Sequence, residues 1–403
     1  MTALAAAAIP KSRLTDHRGA LAYAIACFFV WGLAYGLLDV LNKHVQETLH
    51  VGKANSAWLS MAYFGAYLTL SFPAGKLLAA IGYRRGLATG LAITACGALL
   101  FIPAAQAGKF SWFVGAMYVL AGGLCVLETT ADTYVNGLGD PSQASRRLTL
   151  GQSFNGVGVF VGPLIGGLLL FGNVDRAVQI IYAVIAFLVL LFAGFVLRAD
   201  LPEIGVEGHH ETGPADGKLR HSRHYVLGLI TQFLYIGAQV GVGFYFINLV
   251  TETWRGTSSQ EAAYLLSVAT LFYLGGRFAG TWLMGKVGAA KLLLLYAIGA
   301  FVCCIVVSLG LPVVSACALV GVLGFESIMF PTIFGLAVRD LGAQTGRGAS
   351  IMVMMIGGGV VLPYPMGLLA QSFGTPVAYL LPAACFVLVG LYAQWGHQLK
   401  DAT

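Results

Sequence analysis

Four carboxyls stand where carboxyls are costly. Asp39, Glu128, Asp132 and Glu326 lie inside long apolar runs, while the other acidic residues of the 17 fall in loops or near the ends of such runs. An acid at the centre of a hydrocarbon layer costs roughly 2.5–3.5 kcal/mol on insertion scales, and such residues face a cavity or a bundle interior and mark ion or substrate pathways. No basic residue lies at comparable depth in the first half of the chain, so Asp39 and Glu128 lack a cation partner there. A buried, unpaired carboxyl resists ionisation. It is charged when its cavity is wet and neutral when occluded, which is the chemistry of a proton carrier. Glu128 and Asp132 are i and i+4, one turn apart on one helical face, and two carboxyls sharing a cavity titrate as a coupled pair. Asp39 stands about twenty residues into its run, toward the outer third of a span. The rival reading, a protonated acid hydrogen-bonded for packing alone, competes most strongly at Glu326.

Uncharged polar residues accompany the acids. The first half offers Tyr35, Asn42, Thr129, Thr130, Gln152 and Asn155, and the second offers Tyr235, Gln239, Tyr245 and Asn248. Gln152 and Asn155 are i and i+3 on one face. Carboxylates, amides and hydroxyls, with Trp31, Phe154 or Tyr235 available to stack, suit a neutral polyhydroxylated ligand. A sugar hydroxyl both donates and accepts, and an amide answers both functions. The competing role for Gln152 and Asn155 is to hold neighbouring helices together. A drug exporter would favour a larger apolar cavity, and a peptide carrier more cavity charge.

Other motifs carry less. The seven cysteines have no CxxC spacing and lie in apolar runs, so they read as small packed hydrophobes with no redox or metal role. GVGVFVG at 156–162 lacks the spacing of a dinucleotide loop and reads as close helix packing, and GGG at 357–359 is its counterpart and a bending point. Arg277, late in its span, is expected to bind a carbonyl or acid at the basic end of the bundle in a structural role. No P-loop, zinc signature or nucleophile elbow is present, so no enzyme and no cofactor is implied; protons are the coupling ion.

The elements that must position these groups are membrane helices. Of the 403 residues 58% are hydrophobic and 10% charged, against about 25% charged in a soluble domain. That excludes a soluble globular protein, a disordered chain and a nucleic-acid binder. A spanning helix needs about 20 apolar residues. Twelve runs qualify: 20–46, 55–80, 86–106, 110–138, 148–171, 176–198, 224–252, 260–285, 289–310, 312–338, 348–371 and 376–397. None alternates as a β-barrel strand would. The N-terminal stretch places its apolar patch before its basic residues, the reverse of a signal peptide, so the first long run reads as a retained helix.

Residues 199–223 are polar and turn-rich and read as a linker between halves 20–198 and 224–403, after a tail at 1–19. His209, His210 and His221 there, and His224 just after, have no acidic or cysteine partners at fixed spacing, and a solvated loop explains them. Sixteen Lys and Arg residues gather at one set of alternating ends and five at the other. By the positive-inside rule this puts both termini and the linker in the cytoplasm, and the basic excess needs no nucleic acid. The halves also repeat. With a shift of 200, Asp140, Arg147, Gly158, Pro163 and Gly167 align with Asp340, Arg347, Gly358, Pro363 and Gly367. An all-α membrane protein of twelve transmembrane helices in two parallel six-helix halves is the major facilitator fold, whose substrate site lies between the halves.

Several stretches are similar to the fucose permease (L-fucose/proton symporter) family of that fold: FFVWGLAYGLLDVLN (28–42), LETTADTYV (127–135), RLTLGQSFN (147–155), YIGAQ (235–239), GRFAGTWL (276–283) and SIMFPTIFGLAVRDLG (327–342). The resemblance implies that Asp39 and Glu128 serve sugar binding and proton coupling, and that Gln152, Asn155, Tyr235 and Gln239 contact the sugar. Departures bear on the substrate. Asp132 and Thr133 replace Asn and Pro of the family pattern, Tyr35 and Gly36 replace two Asn residues, and Ala79 replaces an Asp of the general facilitator loop. Glu326 stands where the fucose permease is apolar, and SIMFPTIF is closer to the glucose/galactose branch.

The chain therefore reads as a proton-coupled sugar symporter of the bacterial inner membrane, working as a monomer, with a small sugar, a proton and the lipid bilayer as its partners. Candidate site residues are Asp39, Glu128, Gln152, Asn155, Tyr235, Gln239, Tyr35, Asp132 and Glu326, with Glu128 and Asp39 coupling the proton. A proton-driven exporter of sugars or amphiphilic compounds, and a sugar sensor without flux, are the alternatives.

Overall fold

In hydrocarbon a backbone must satisfy its own polar groups, which long apolar runs do by coiling into helices. The computed structural model describes residues 17–138, 144–172, 176–202, 222–339, 341 and 345–396. The first half holds α1 (His17–Thr48), the short α2 (Lys53–Ser56), α3 (Trp58–Ala107), α4 (Phe110–Gly137), α5 (Ala144–Leu170) and α6 (Ala177–Arg198). At 50 residues α3 would be about 75 Å long, more than twice the hydrocarbon thickness. Gly82 at φ 79° and ψ 175° turns the chain there, a conformation open to a residue without Cβ. So α3 contains two spans, 58–81 and 83–107, and the twelve expected crossings stand.

The second half is more broken than expected. Its first span is α7 (Arg223–Phe244) and α8 (Phe246–Thr253), interrupted at Tyr245. Next come α9 (Ser259–Val287) and α10 (Ala289–Ser308), then one span split into α11 (Val314–Glu326) and α12 (Met329–Ala337). The eleventh span runs α13 (Thr345–Met354), a 3-10 turn Met355–Gly357, α14 (Gly358–Val361) and α15 (Pro363–Phe373). The bend read at GGG is there. The last span comprises α16 (Thr375–Ala378), α17 (Leu380–Leu391) and a π turn. Large apolar side chains such as Phe187, Trp282 and Phe373 are about two-thirds exposed, as a lipid-facing surface requires.

The repeat has a physical meaning. A Cβ on Gly158 of α5 would lie 2.4 Å from the Phe29 carbonyl oxygen of α1, and one on Gly358 of α14 would lie 1.9 Å from that of Phe233 on α7. Each half thus seats its fifth helix on its first through a glycine 200 residues from its counterpart, since small residues let membrane helices approach closely. Asp140 and Asp340 lie outside the described residues, as do His209, His210 and His221. His224 is buried in α7, its ring nitrogen 3.0 Å from the Arg339 carbonyl.

Candidate functional site

The two halves meet along α1, α2, α3 and α5 on one side and α7, α8, α9, α14 and α15 on the other. Tyr35 and Asp39 lie one turn apart on α1. Asp39 is 8% exposed, and its Oδ2 is 3.0 Å from the Cβ position of Gly243 in the last turn of α7. Glycine there lets the second half reach the carboxyl. Tyr35 is within electrostatic reach of Asp39 and Tyr63 in its own half and of Tyr273 and Glu326 in the other, so it stands at the seam.

On α4, Glu128 and Asp132 face one space, as their spacing required. Glu128 Oε2 and Asp132 Oδ1 are buried without a hydrogen-bond partner. The groups facing Glu128 are Asp132 and the Tyr67 hydroxyl, with Tyr63 and Cys125 beside them. Among the described residues no Lys, Arg or His lies within ion-pair distance of Asp39, Glu128 or Asp132. Buried polar atoms are nearly always paired, so orphaned carboxyl oxygens mark a place for a proton, a water or a ligand hydroxyl.

The opposite wall is a network of hydroxyls around one cation. Gln239 Nε2 donates to Tyr273 Oη at 3.1 Å, and the Arg277 guanidinium donates to the same oxygen at 2.8 Å. Arg277 Nε also donates to the Ser327 carbonyl at 3.3 Å, and the guanidinium lies 5.0 Å from the Tyr273 ring centroid. With both acceptor positions of its oxygen in use, Tyr273 keeps its own proton to offer. Tyr235 donates to the main-chain carbonyl of Glu326 at 2.8 Å. The Glu326 side chain is 1% exposed and its Oε1 has no partner.

Several expectations need correction. Tyr235 cannot stack on a ligand in this state, because it is fully buried with its hydroxyl on α11. Arg277 does bind a carbonyl, but beside Tyr235 and Tyr273 rather than at the end of the bundle. Thr130 is buried with its hydroxyl on the Val126 carbonyl, one turn back along its own helix. Asn155 Nδ2 donates to the Phe28 carbonyl at 3.4 Å, and its backbone oxygen sits where a Cβ on Gly32 would be. That amide nitrogen joins α5 to α1, the packing role weighed against sugar contact. Gln152, one turn away on α5, is half-buried.

Asn42, Tyr245 and Asn248 belong to a seal rather than a cavity. Asn42 Nδ2 donates to the Phe244 carbonyl at 2.8 Å, and Asn248 Nδ2 to Gln46 Oε1 at 2.6 Å. The Tyr245 hydroxyl bridges the carbonyls of Lys53 and Pro363, each at 2.9 Å. Lys53 pairs with Glu252 at 2.6 Å and donates to Thr375 Oγ1 at 2.9 Å. Farther in, Ser60 Oγ donates to the Gly359 carbonyl at 3.3 Å. All but the Tyr245–Pro363 bond cross between halves, at the side of the bundle away from the start of α7.

Sequence reasoning missed Tyr63, Tyr67 and Tyr273. Each had a signal: Tyr63 and Tyr67 are i and i+4 on one face, as are Tyr273 and Arg277.

Two halves closed over orphaned carboxyls at one face, with hydroxyls and amides lining the seam, define a membrane solute carrier. The chain belongs to the Major Facilitator Superfamily, which residues 20–363 match. It is 35% identical to a glucose/galactose transporter of Brucella abortus (strain 9-941) over 92% of each chain. It is 31% identical to the L-fucose-proton symporter of Escherichia coli K12, covering 97% of this chain and 96% of that one. The crystal structure of the Escherichia coli fucose:proton symporter superposes with TM-score 0.69 at 30% identity, over 95% of this chain and 100% of that one. The resemblance read from the motifs thus holds over nearly the full length, and the chain is a transporter rather than an enzyme.

Proposed function

We propose that this chain imports a neutral hexose or hexose derivative, of the fucose, glucose/galactose or N-acetylglucosamine class, together with protons across the bacterial inner membrane, with both termini cytoplasmic. The observation that carries the reading is the pair of sites on α1 and α4: Asp39 against Gly243, and Glu128 with Asp132, none of them paired with a cation among the described residues. A carboxyl with no fixed counterion changes charge by taking a proton, and its protonation state then decides whether the two halves can close over it.

In this reading Glu128 is the main protonation site. Asp39 couples protonation to sugar hydroxyls, and Gln239 and the proton of Tyr273 orient the ring from the other half. Gln152 contributes from α5. With cytoplasmic termini, the seal of Asn42, Gln46, Lys53, Tyr245, Asn248 and Glu252 closes the outside, so the arrangement corresponds to an inward-facing state. Sugar and proton leave toward the linker side, the seal breaks, and the empty carrier returns.

The test is sugar-driven proton movement by purified protein in liposomes, across neutral hexoses, deoxyhexoses, N-acetylhexosamines and disaccharides. Symport predicts alkalinisation outside with one sugar and its loss in Glu128→Gln. Acidification instead would make the protein an exporter. Binding of a sugar without flux would make it a sensor.

A further inference from the structure

Between the two carboxyl sites runs a row of phenols, of which only Tyr35 has a place in the reading above, as a candidate site residue. Tyr63 and Tyr67 stand one turn apart on α3, their rings stacked at 5.5 Å between centroids and 29° between planes. Tyr63 lies 6.0 Å from the ring of Tyr35, and Tyr35 is one turn from Asp39 on α1. At the other end the Tyr67 hydroxyl faces Glu128. The hydroxyl oxygens of Tyr63 and Tyr67 are both buried and both without a hydrogen-bond partner, as are Glu128 Oε2 and Asp132 Oδ1. Four orphaned polar atoms, drawn from two helices and gathered at one place, are not an accident of packing, since each left alone costs about 1–3 kcal/mol. A polar site with such partners holds ordered water.

We propose that Tyr67, Tyr63 and Tyr35, joined by bridging water, form a hydroxyl relay that passes the coupling proton between Glu128 and Asp39. The inference rests on the symport reading above. The carboxyl of Glu128 gives its proton to the first bridging oxygen. Each water and each phenol accepts one proton on its oxygen and releases one onward, and the last is taken by the Asp39 carboxylate. The net change is one proton moved, with Glu128 left charged, Asp39 neutral and every phenol and water restored. Glu128 is faced by Asp132 on its own helix and by Tyr63 and Tyr67 on α3, and Cys125 stands nearby. Asp39 is faced by Tyr35 on α1, by Tyr379 from the last span and by the Gly243 backbone of α7. Among the described residues no Lys, Arg or His pairs with Glu128 or Asp39 at either end of the route to trap the charge.

A competing role for the stacked rings is a platform for the sugar. Tyr→Phe changes separate the two, because the ring stays and only the hydroxyl goes. Tyr67→Phe also removes a buried hydroxyl with no direct hydrogen-bond partner in the protein, so the fold is not expected to suffer. The measurement is the ratio of sugar-driven proton uptake to sugar counterflow, which exchanges sugar without net proton movement. In Tyr67→Phe and in Tyr63→Phe the ratio falls roughly a hundredfold or more, the low end of what a positioned proton-transfer group contributes. The double variant falls no further than either single one, because two breaks in one relay are not additive. A ratio that stays at the wild-type value, whether or not both rates drop, overturns the relay, as does a double variant whose loss is the product of the single losses. Wild-type protein that moves no protons with any sugar would instead overturn the symport reading.

Discussion

Lys53 of α2 meets Glu252 of α8 at 2.6 Å, and the same ammonium donates to Thr375 while the Thr375 amide donates back to Glu252 at 3.4 Å. One residue of the first half thereby ties together two separate spans of the second. The pair is only partly buried, with side-chain exposures of 23% and 33%, so its intrinsic strength is about 1 kcal/mol or less. Its importance lies in where it stands, across the seam that must part.

Lys53→Ala and Glu252→Ala are each expected to shift the carrier toward the state open on the far side. In a background without native cysteines, Asn248→Cys would then react several-fold faster with a membrane-impermeant maleimide. The swap Lys53→Glu with Glu252→Lys should return labelling toward the parent rate, since a pair in contact couples energetically. Equal labelling in all four proteins would show that the ion pair does not hold the seam.

Glu128→Gln should lower gradient-driven sugar accumulation by roughly a hundredfold or more, the scale at which a positioned acid–base group acts. Glu128→Asp should recover part of it, because the titrating group is kept and only its reach shortened. Persisting accumulation in Glu128→Gln would move the proton to another acid, and Asp132 on the same face is the first to examine.

Arg277→Lys should weaken transport although the charge is kept. The guanidinium bonds Tyr273 and the Ser327 carbonyl at once and lies over the Tyr273 ring, and an ammonium does not reproduce that planar fork. The expected result is a KM for sugar raised several-fold, with Tyr273→Phe giving a similar change and the double variant little more. Independent, multiplying losses would argue that the two side chains do not act as one unit.

Gly358→Ala should destabilise the protein by about 1–3 kcal/mol through overpacking, because the added methyl would sit 1.9 Å from the Phe233 carbonyl. Gly158→Ala is expected to do the same against Phe29. Gly275→Ala, whose Cβ position has nothing within 4 Å, is the control. Thermal unfolding in detergent ranks the three, and an unaffected Gly358→Ala would mean that α14 shifts freely on α7.

The spans were legible because hydrocarbon leaves a backbone no alternative to the helix, and the register of Gly158 and Gly358 because close contact between helices admits nothing larger. The breaks were not. Tyr245 sits in FYFINLV with no proline, and what holds the chain there is its hydroxyl on Lys53 and Pro363, partners 192 and 118 residues away. The acids announced themselves by their cost. Tyr63 and Tyr67 did not, since tyrosine is ordinary near membrane interfaces and only their unpartnered oxygens set them apart. Asn42 and Asn248 were placed near the right depth but assigned to the wrong structure. Depth along a helix follows from sequence, whereas meeting across the seam depends on which conformation the halves adopt.

The bonds that tie the seal together come from amides, hydroxyls, carbonyls and one ion pair. Every one of those groups has water waiting for it when the halves separate, so opening exchanges one set of hydrogen bonds for another of similar strength. The two faces of the carrier can then lie close in free energy, and a ligand tips the balance by no more than its differential affinity for them. A greasy plug in the same place would make a tighter door and a slower carrier. What the chain has instead is a latch weak enough for a single small solute to throw.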